Sequence, residues 1–198
     1  MDTRPAALST ALSTAPSAEF SESIPVPLPD APGLRIERAS PDDLPRIENL
    51  MQFYNYDLSE WTPVAFAPEG RYQLRPKAPY WAQPDVHPFV IWHGAELAGF
   101  AVVDGECEDP GSDHNMGYFF LARGYRGHGL AARAASELLA RFPGRWEIYH
   151  LMANTPAAQF WPGVIRGRAA GEIVREVRSL HGDDCCLYRF TVAPPPGA

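Results

Sequence analysis

Residues 122–131, ARGYRGHGLA, join two segments of different character and hold three glycines and two arginines. The preceding run, MGYFFL, is apolar and aromatic and predicts a buried strand over 116–122. The residues that follow, AARAASELLARF, predict a helix over about 129–142, which Pro143-Gly144 ends. The chain therefore contains a strand, a glycine-rich turn and a helix in direct succession, and any fold for it must accommodate this unit.

Apolar periodicity predicts the remaining elements. Ser40-Pro41-Asp42-Asp43 supplies an N-cap, a first-turn proline and first-turn acids for one helix, and a second helix begins at Thr155, where Pro162-Gly163 is expected to kink or shorten it. Six further strands are predicted at 33–40, 88–94, 96–104, 146–154, 172–179 and 186–192. The order β-α-β-β-β-α-β-α-β-β is typical of an α/β domain built on one mixed, twisted sheet.

The two ends of the chain lack a lasting apolar period. Residues 1–32 are rich in Ala, Ser, Thr and Pro, and we expect a disordered tail there. Residues 193–198, APPPGA, are expected to form a flexible C-terminus. The folded domain is therefore predicted at 33–192, which suits a single domain in a chain of 198 residues.

Charge and composition exclude several classes of function. The net charge is −7 and the pI about 5.3, which disfavours a nucleic-acid partner because phosphate binding needs clustered Lys and Arg. No apolar run has the roughly 20 residues of a membrane span and no secretion signal begins the chain, so a cytoplasmic location without a membrane partner is expected. Cys107, Cys185 and Cys186 form no Cys-x-x-Cys pair and no histidines are paired at helical spacing, so no metal is expected.

The glycine-rich turn indicates a chemistry. Several backbone N–H groups in the first turn of a helix have no helical partner and point into the positive end of the helix dipole. Glycine lets an anion such as phosphate approach the backbone closely. A plain tight turn is the alternative. Neither Gly-x-x-x-x-Gly-Lys-Ser/Thr nor a complete Gly-x-Gly-x-x-Gly occurs, which sets aside two common phosphate loops.

Within the turn, Arg126-Gly127-His128-Gly129-Leu130-Ala131 forms an Arg-x-x-Gly-x-Ala pattern, which resembles the acyl-CoA signature of the GNAT superfamily of N-acyltransferases. Asn154, Ala157 and Trp161 stand where that superfamily has Asn at a strand end, Ala three residues on and Tyr seven residues on. Stretches such as YNYDLSE and PYWAQPDVHPFVI are similar to a bacterial subgroup of predicted acetyltransferases. The resemblance covers about 33–192 and implies a single α/β domain, with six to seven strands, splayed central strands and flanking helices.

The resemblance implies acetyl-CoA as the co-substrate. The backbone of Leu121 and Arg123 would pair with pantetheine, and an N–H group near Leu121 would polarise the thioester carbonyl. The N–H groups of Gly127 to Ala131 would hold the diphosphate, with the Arg126 guanidinium free to add a charge-assisted contact. Asn154 would anchor the cofactor or separate the strands; an N-cap for the following helix is the alternative.

Two departures from the superfamily affect catalysis. Its usual general acid is a tyrosine where this chain has Trp161, and indole cannot serve as an acid. The subgroup is expected to have a glutamate where this chain has Tyr118. Tyr118 is a candidate proton relay, although its ordinary pKa near 10 makes it a poor base at neutral pH, and core packing is the alternative. His114 and Asp113, just before the same strand, are further candidates for a base or an acceptor-orienting group.

Aromatic residues and one carboxylate are concentrated where the superfamily places its acceptor, namely Tyr54, Tyr56, Asp57, Tyr80 and Trp81. Such a wall suits a cationic amine, and ordinary packing under a proline-rich loop is the alternative. The resemblance implies an N-acetyltransferase that acts by direct transfer in a ternary complex on a primary amine, of a small molecule first and of a peptide or protein second. A non-catalytic acyl-CoA sensor is the alternative from another class, and a homodimer is compatible with either.

Overall fold

The computed structural model describes residues 33–75 and 77–195, so the predicted N-terminal tail and residues 196–198 lie outside the described residues. Seven strands form one sheet in the order β1-β2-β3-β4-β5-β7-β6. The strands are β1 (Leu34–Arg38), β2 (His87–His93), β3 (Glu96–Asp104), β4 (His114–Leu121), β5 (Gly144–Leu151), β6 (Val174–Leu180) and β7 (Asp183–Val192). Neighbouring strands are antiparallel except β4 and β5, which are parallel, so the sheet is mixed as predicted.

The helices of the described residues are α1 (Leu44–Leu58), α2 (Ala78–Trp81), α3 (Leu130–Arg141) and α4 (Thr155–Arg166). Ahead of α1, the Asp43 carboxylate accepts hydrogen bonds from the backbone N–H and the hydroxyl of Ser40, at 3.0 and 2.8 Å. α4 continues for four residues beyond Pro162. The expected shortening of this helix was wrong, because a proline in the helix interior removes only one hydrogen bond and tertiary packing buries the residues on both sides.

Helices cover both faces of the sheet. α3 and α4 pack on one face, and α1 and α2 pack on the other. β3 contributes to both cores, because Ala101 and Val103 face the first while Phe100 and Val102 face the second. A strand that is apolar along its whole length is therefore buried on both sides.

The central strands diverge after two residue pairs. β4 and β5 pair only at His114–Trp146 and Asn115–Glu147, whereas β5 stays paired with β7 along its full length. The rest of β4 has no β5 partner. The predicted splay of the central strands is thereby confirmed.

A β-bulge at Gly117 bends β4 at the point of divergence. The residues on either side of Gly117 pair with two consecutive residues of β3, Val102 and Val103, so Gly117 is an extra residue on β4. A bulge bends its strand and increases the local twist. Only glycine fits there, since a Cβ on Gly117 would lie 2.1 Å from Oδ2 of Asp104.

Two further properties of the described residues bear on function. No helix within 33–75 and 77–195 is long and apolar enough to cross a membrane. The same residues bring together no group of three or more His, Cys, Asp or Glu side chains that could hold a metal ion.

Candidate active site

A cavity of about 550 Å³ opens where β4 and β5 diverge. One wall, which we name the turn side, is formed by the glycine-rich turn and the starts of α3 and α4. The opposite wall, the α1 side, is formed by the end of α1, the side chains of β4 and β5 that face α1, and the turn between β6 and β7. The cavity therefore joins the strand, turn and helix unit to residues from distant parts of the chain.

The glycine-rich turn presents mainly main-chain groups on the turn side. Gly127 and Gly129 adopt the left-handed conformation with φ of 85° and 76°, and Gly129 is the N-cap of α3. Within 33–75 and 77–195, no group accepts a hydrogen bond from the backbone N–H groups of Gly127 to Ala131. These donors lie at the N-terminus of α3, the positive end of its dipole, which is a favourable place for an anion.

The edge of β4 also presents main-chain groups to the cavity. The Ala122 N–H donates to the Ala98 carbonyl at 2.9 Å, so the backbone of Ala122 faces β3. Alternation along the strand directs the backbone groups of Phe119 and Leu121 the other way, towards β5, which does not pair there. The Leu121 carbonyl accepts a hydrogen bond from Nε of Arg126 at 2.8 Å. The N–H groups of Phe119 and Leu121 thus face the gap between the diverging strands β4 and β5, which we name the wedge, without a strand partner.

Asp57, near the end of α1, pairs with both arginines of the turn. Nε and Nη2 of Arg123 donate to Oδ1 at 3.1 and 2.8 Å, and Nη2 of Arg126 donates to Oδ2. Burial raises the pKa of Asp57, but the hydrogen bonds from the two guanidinium groups outweigh burial and lower it overall. The Arg126 guanidinium is therefore not free, contrary to expectation. Arg123 lies beyond the end of β4 in a 3-10 turn, and its backbone pairing with pantetheine stays a prediction.

Asn154 and Trp161 belong to α4 and its cap. The Asn154 side-chain oxygen accepts a hydrogen bond from the Ala157 N–H at 3.0 Å, so the N-cap role is present in the structure. Trp161 packs its ring 5.5 Å from that of Phe119. Both Asn154 and Trp161 line the cavity, and neither offers it an acidic proton.

Tyr118 directly follows the bulge residue Gly117 on β4, and its side chain lines the α1 side of the cavity. Its ring packs edge-on against that of Tyr54, at 5.5 Å between centroids. Its Oη accepts a hydrogen bond from Nζ of Lys77 at 2.7 Å. Burial raises the pKa of Tyr118, so its hydroxyl is protonated at neutral pH. Tyr118 is thus packed in the core and also faces the cavity.

Asp113 and His114 lie at the other end of β4, where β4 and β5 are paired. Asp113 accepts hydrogen bonds from Nη2 and Nε of Arg145 at 2.6 and 3.0 Å, and these hold its pKa well below the usual range. Nε2 of His114 lies 3.3 Å from the Pro143 carbonyl oxygen. Neither side chain lines the cavity, so the structure does not bring them to the candidate site.

The predicted acceptor wall is only partly assembled. Tyr54 and Asp57 line the cavity, whereas Tyr56, Tyr80 and Trp81 do not. Tyr56 is 60% exposed. Tyr80 is buried and Trp81 half-buried, and their hydroxyl and indole N–H groups donate to acidic side chains beneath the site. These three aromatic residues therefore do not form part of the cavity wall.

Sequence reasoning missed several residues of the α1 side. The Thr62 hydroxyl donates to Oδ2 of Asp183 at 2.9 Å, which joins the segment after α1 to the β6–β7 turn. Trp61 and Tyr149 also line this side, and burial, together with Glu108, raises the pKa of Tyr149 to about 12. The positions of Thr62 and Asp183, 121 residues apart, gave no sequence signal of their contact.

His150 was also missed. It follows Tyr149 on β5 and is buried at the cavity, with Nδ1 2.8 Å from the Leu151 carbonyl oxygen. Burial lowers its pKa. Its Nε2 has no hydrogen-bond partner in the part of the chain that the structure describes. A neutral imidazole with a bare ring nitrogen therefore lies in the wall of the wedge.

Comparison with known families places this architecture among the acyltransferases. A model of the family described as acetyltransferase (GNAT) family matches residues 50–162, which include the bulge, the wedge and the turn. Because this match covers more than half of the chain, the chain belongs to the GNAT acetyltransferase family. A search of curated proteins finds no match.

Solved structures share the fold. An acetyltransferase from Thermus thermophilus aligns with a TM-score of 0.58 and 13% identity, covering 80% of this chain and 97% of that one. A mutant of the spermidine N-acetyltransferase from Vibrio cholerae aligns with a TM-score of 0.54 and 14% identity, covering 80% and 94%. At this level of identity the likeness concerns the fold, and it confirms the predicted α/β domain.

Proposed function

We propose that the chain transfers an acetyl group from acetyl-CoA to the primary amine of a small molecule, directly within a ternary complex. One observation carries the proposal: a single cavity is lined by Gly127 and Ala131, at the two ends of a run of N–H groups without an acceptor among the described residues, and by the unpaired edge of β4. The first set of donors suits a diphosphate. The second suits the amide groups of an extended chain that adds to a strand edge.

The residues present fit acetyl-CoA. The space around Gly127 is open, since an added Cβ there would meet no atom within 4 Å. Phe119 and Leu121 would pair with the pantetheine amides, and an N–H group near Leu121 would stabilise negative charge on the thioester oxygen during attack. Arg126 adds positive charge beside the diphosphate site, although Asp57 offsets part of it.

Transfer forms a C–N bond between the acceptor amine and the acetyl carbon, and it breaks the C–S bond. The amine must lose a proton before it attacks, and the departing thiolate must gain one. Tyr118 on β4 and Tyr149 on β5 are candidate proton donors, since both line the α1 side of the cavity from the two strands that diverge there. Their raised pKa values keep both protonated, so each can donate a proton at neutral pH.

A covalent acyl-cysteine route is disfavoured. Cys185 lines the cavity, which the sequence did not predict. Burial and the neighbouring Asp183 and Asp184 raise its pKa, so its thiol is not activated as a nucleophile. Direct transfer needs no such nucleophile.

The α1 side supports a small cationic acceptor. Aromatic faces of Tyr54, Trp61 and Tyr149 and the carboxylate of Asp183 surround this part of the cavity. The Thr62–Asp183 hydrogen bond closes it between the end of α1 and the β6–β7 turn, which favours a small molecule over a protein segment. A non-catalytic acyl-CoA sensor is the second candidate, because Trp161 removes the usual acid.

Two measurements test this function. We expect acetyl-CoA to raise the melting temperature, and a panel of small primary amines with a free-thiol readout to reveal acceptors that release CoA. A thermal shift with no CoA release over a broad panel would favour the sensor. Absence of any shift with acetyl-CoA would remove the co-substrate assignment.

A further inference from the structure

The chain has one lysine, Lys77, among its 17 lysine and arginine residues. It lies immediately before α2, directly behind Tyr118, and is 6% exposed. Burying the charge of an amine is costly unless partners compensate for it. The single lysine of this protein is therefore in an environment that disfavours its charged form, next to the cavity.

Aromatic rings surround the amine. Nζ lies 4.5 Å from the ring centroid of Tyr118, 5.0 Å from that of Tyr80 and 5.9 Å from that of Trp81. Its hydrogen bond goes to Oη of Tyr118. The ion pair of this region joins Arg75 to Glu106 at 2.9 Å and does not involve Lys77. Within 33–75 and 77–195 the amine thus has one hydrogen-bond partner, Tyr118, which lines the cavity.

The charged groups around Lys77 act in opposite directions. Burial is the main cause that lowers its pKa, to about 8, and Arg75, in the segment before α2, adds to this. Three carboxylates oppose the shift: Glu106 and Asp104 at the end of β3, and Glu48 on α1. With such a pKa roughly a tenth of the amine is neutral at pH 7, against a negligible fraction for an ordinary lysine.

We propose that Lys77 is the proton acceptor of this active site and that it works through Tyr118. This inference rests on the proposed function. It supplies a base in place of the glutamate that was expected at the position of Tyr118. The 2.7 Å contact between Nζ and Oη is short enough for direct proton transfer. Tyr118 alone is a poor base, but a neutral amine behind it allows its hydroxyl to accept one proton while releasing another.

The proposed step is balanced. Tyr118 Oη takes a proton from the acceptor ammonium as its own hydroxyl proton passes to Nζ of Lys77, so that Lys77 becomes an ammonium and Tyr118 is unchanged. The neutral amine then attacks the thioester, the C–N bond forms, the C–S bond breaks, and the second amine proton ends on the CoA thiolate. Lys77 returns its proton to water. One proton is released for each acetyl group transferred.

Direct titration of Lys77 tests the inference without a substrate. Because the chain has one lysine, selective [ε-13C]lysine labelling gives one lysine signal. We expect a midpoint near pH 8 in the wild type, and a lower midpoint in Tyr118→Phe because the hydroxyl that accepts a hydrogen bond from the ammonium is lost. A wild-type midpoint above 10, or a midpoint unchanged in Tyr118→Phe, would overturn the proposal.

Kinetics of two Lys77 variants then separate proton transfer from a structural role. Lys77→Met removes the amine, whereas Lys77→Arg keeps the positive charge and does not deprotonate. With the panel amine that releases CoA fastest, we expect kcat to fall about 100-fold in both, and the acid limb of kcat/KM near pH 8 to disappear. The same pH profile is measured with a second acceptor whose amine has a different pKa. A limb that stays at the same pH belongs to the enzyme, whereas a limb that moves belongs to the substrate amine.

The outcomes distinguish a failure of the Lys77 relay from a failure of the proposed acetyltransferase function. Full activity in Lys77→Arg would show that only the charge is needed and would sink the relay. A thermal shift with acetyl-CoA that persists in both variants shows that the loss lies in catalysis. A wild type without that shift would overturn the proposed function instead, while the lysine titration would still report on the contact with Tyr118.

Discussion

The two sides of the cavity are built from different parts of the protein. The proposed anion site on the turn side is made of backbone N–H groups within ten consecutive residues, 122–131, and the adjoining edge of β4 adds further main-chain groups. The α1 side consists of side chains from α1, the segment before α2, β4, β5 and the β6–β7 turn. A site made of main chain is encoded by a local pattern, whereas a site made of side chains depends on which distant segments the fold brings together.

The difference also sets how each side responds to mutation. Backbone donors survive most substitutions, and only a change at the glycines that shape the turn or at the bulge disturbs them. Side-chain groups are lost one at a time, with effects that depend on their neighbours. Three substitutions test this contrast, from the largest expected effect to the smallest.

Gly129→Asp addresses the turn side. Asp tolerates the left-handed conformation of Gly129 better than most residues, so we expect the fold to persist. Its carboxylate would stand against the N–H groups that are proposed to hold the diphosphate. Acetyl-CoA affinity should fall by about 100-fold or more, which corresponds to roughly 3 kcal/mol, and the thermal shift should vanish.

Gly70→Asp is the matched control for that experiment. Gly70 has a φ of 75°, almost the same as Gly129, and an added Cβ there meets no atom within 4 Å. It lies in the segment between α1 and α2, whereas Gly129 is the N-cap of α3. We expect the acetyl-CoA shift to remain in this variant. Equal shifts in the two variants would mean that the turn does not bind the diphosphate.

Gly117→Ala tests whether the bulge creates the wedge. The new Cβ would lie 2.1 Å from Oδ2 of Asp104, so β4 must move or the buried carboxylate must shift. We expect the free energy of unfolding to fall by about 1–3 kcal/mol, with a weaker acetyl-CoA shift. Gly124→Ala serves as the control, because its Cβ would be in open space. Unchanged stability in Gly117→Ala would show that the strand separation has another cause.

The sequence predicted the turn side well for physical reasons. Glycines at 127 and 129, an apolar strand before them and a helix after them leave few alternatives for the backbone. The same local rules predicted the succession of all seven strands along the chain, though not their order in the sheet. They did not predict that Asp57 would pair with Arg123 and Arg126, because that contact joins segments more than 60 residues apart.

The α1 side was harder to predict because its residues are selected by tertiary packing. Tyr80 and Trp81 have the composition of an acceptor wall, yet they lie beneath the site and enclose Lys77 instead. A signal for Lys77 was present in the sequence, since a chain that uses arginine almost exclusively retains one lysine. Its meaning emerged only with its burial and its contact to Tyr118.

Asp57→Asn addresses the point where the two sides meet. Loss of the carboxylate frees Arg126 to contact the diphosphate, so we expect acetyl-CoA to bind about two- to fivefold more tightly, with a stronger dependence on salt. Both arginines are solvent-exposed, although the Asp57 side chain is only 16% exposed, so the melting temperature should fall by about 3 °C at pH 7. The pKa of Asp57 is lowered by folding, so the stability it adds is complete above its ordinary value of 3.8 and is lost as the pH falls through the lowered value. The melting curves of the wild type and the variant should therefore converge in acid. Weaker acetyl-CoA binding in Asp57→Asn would instead mean that the pair positions the turn, and that the main-chain site depends on a side chain after all.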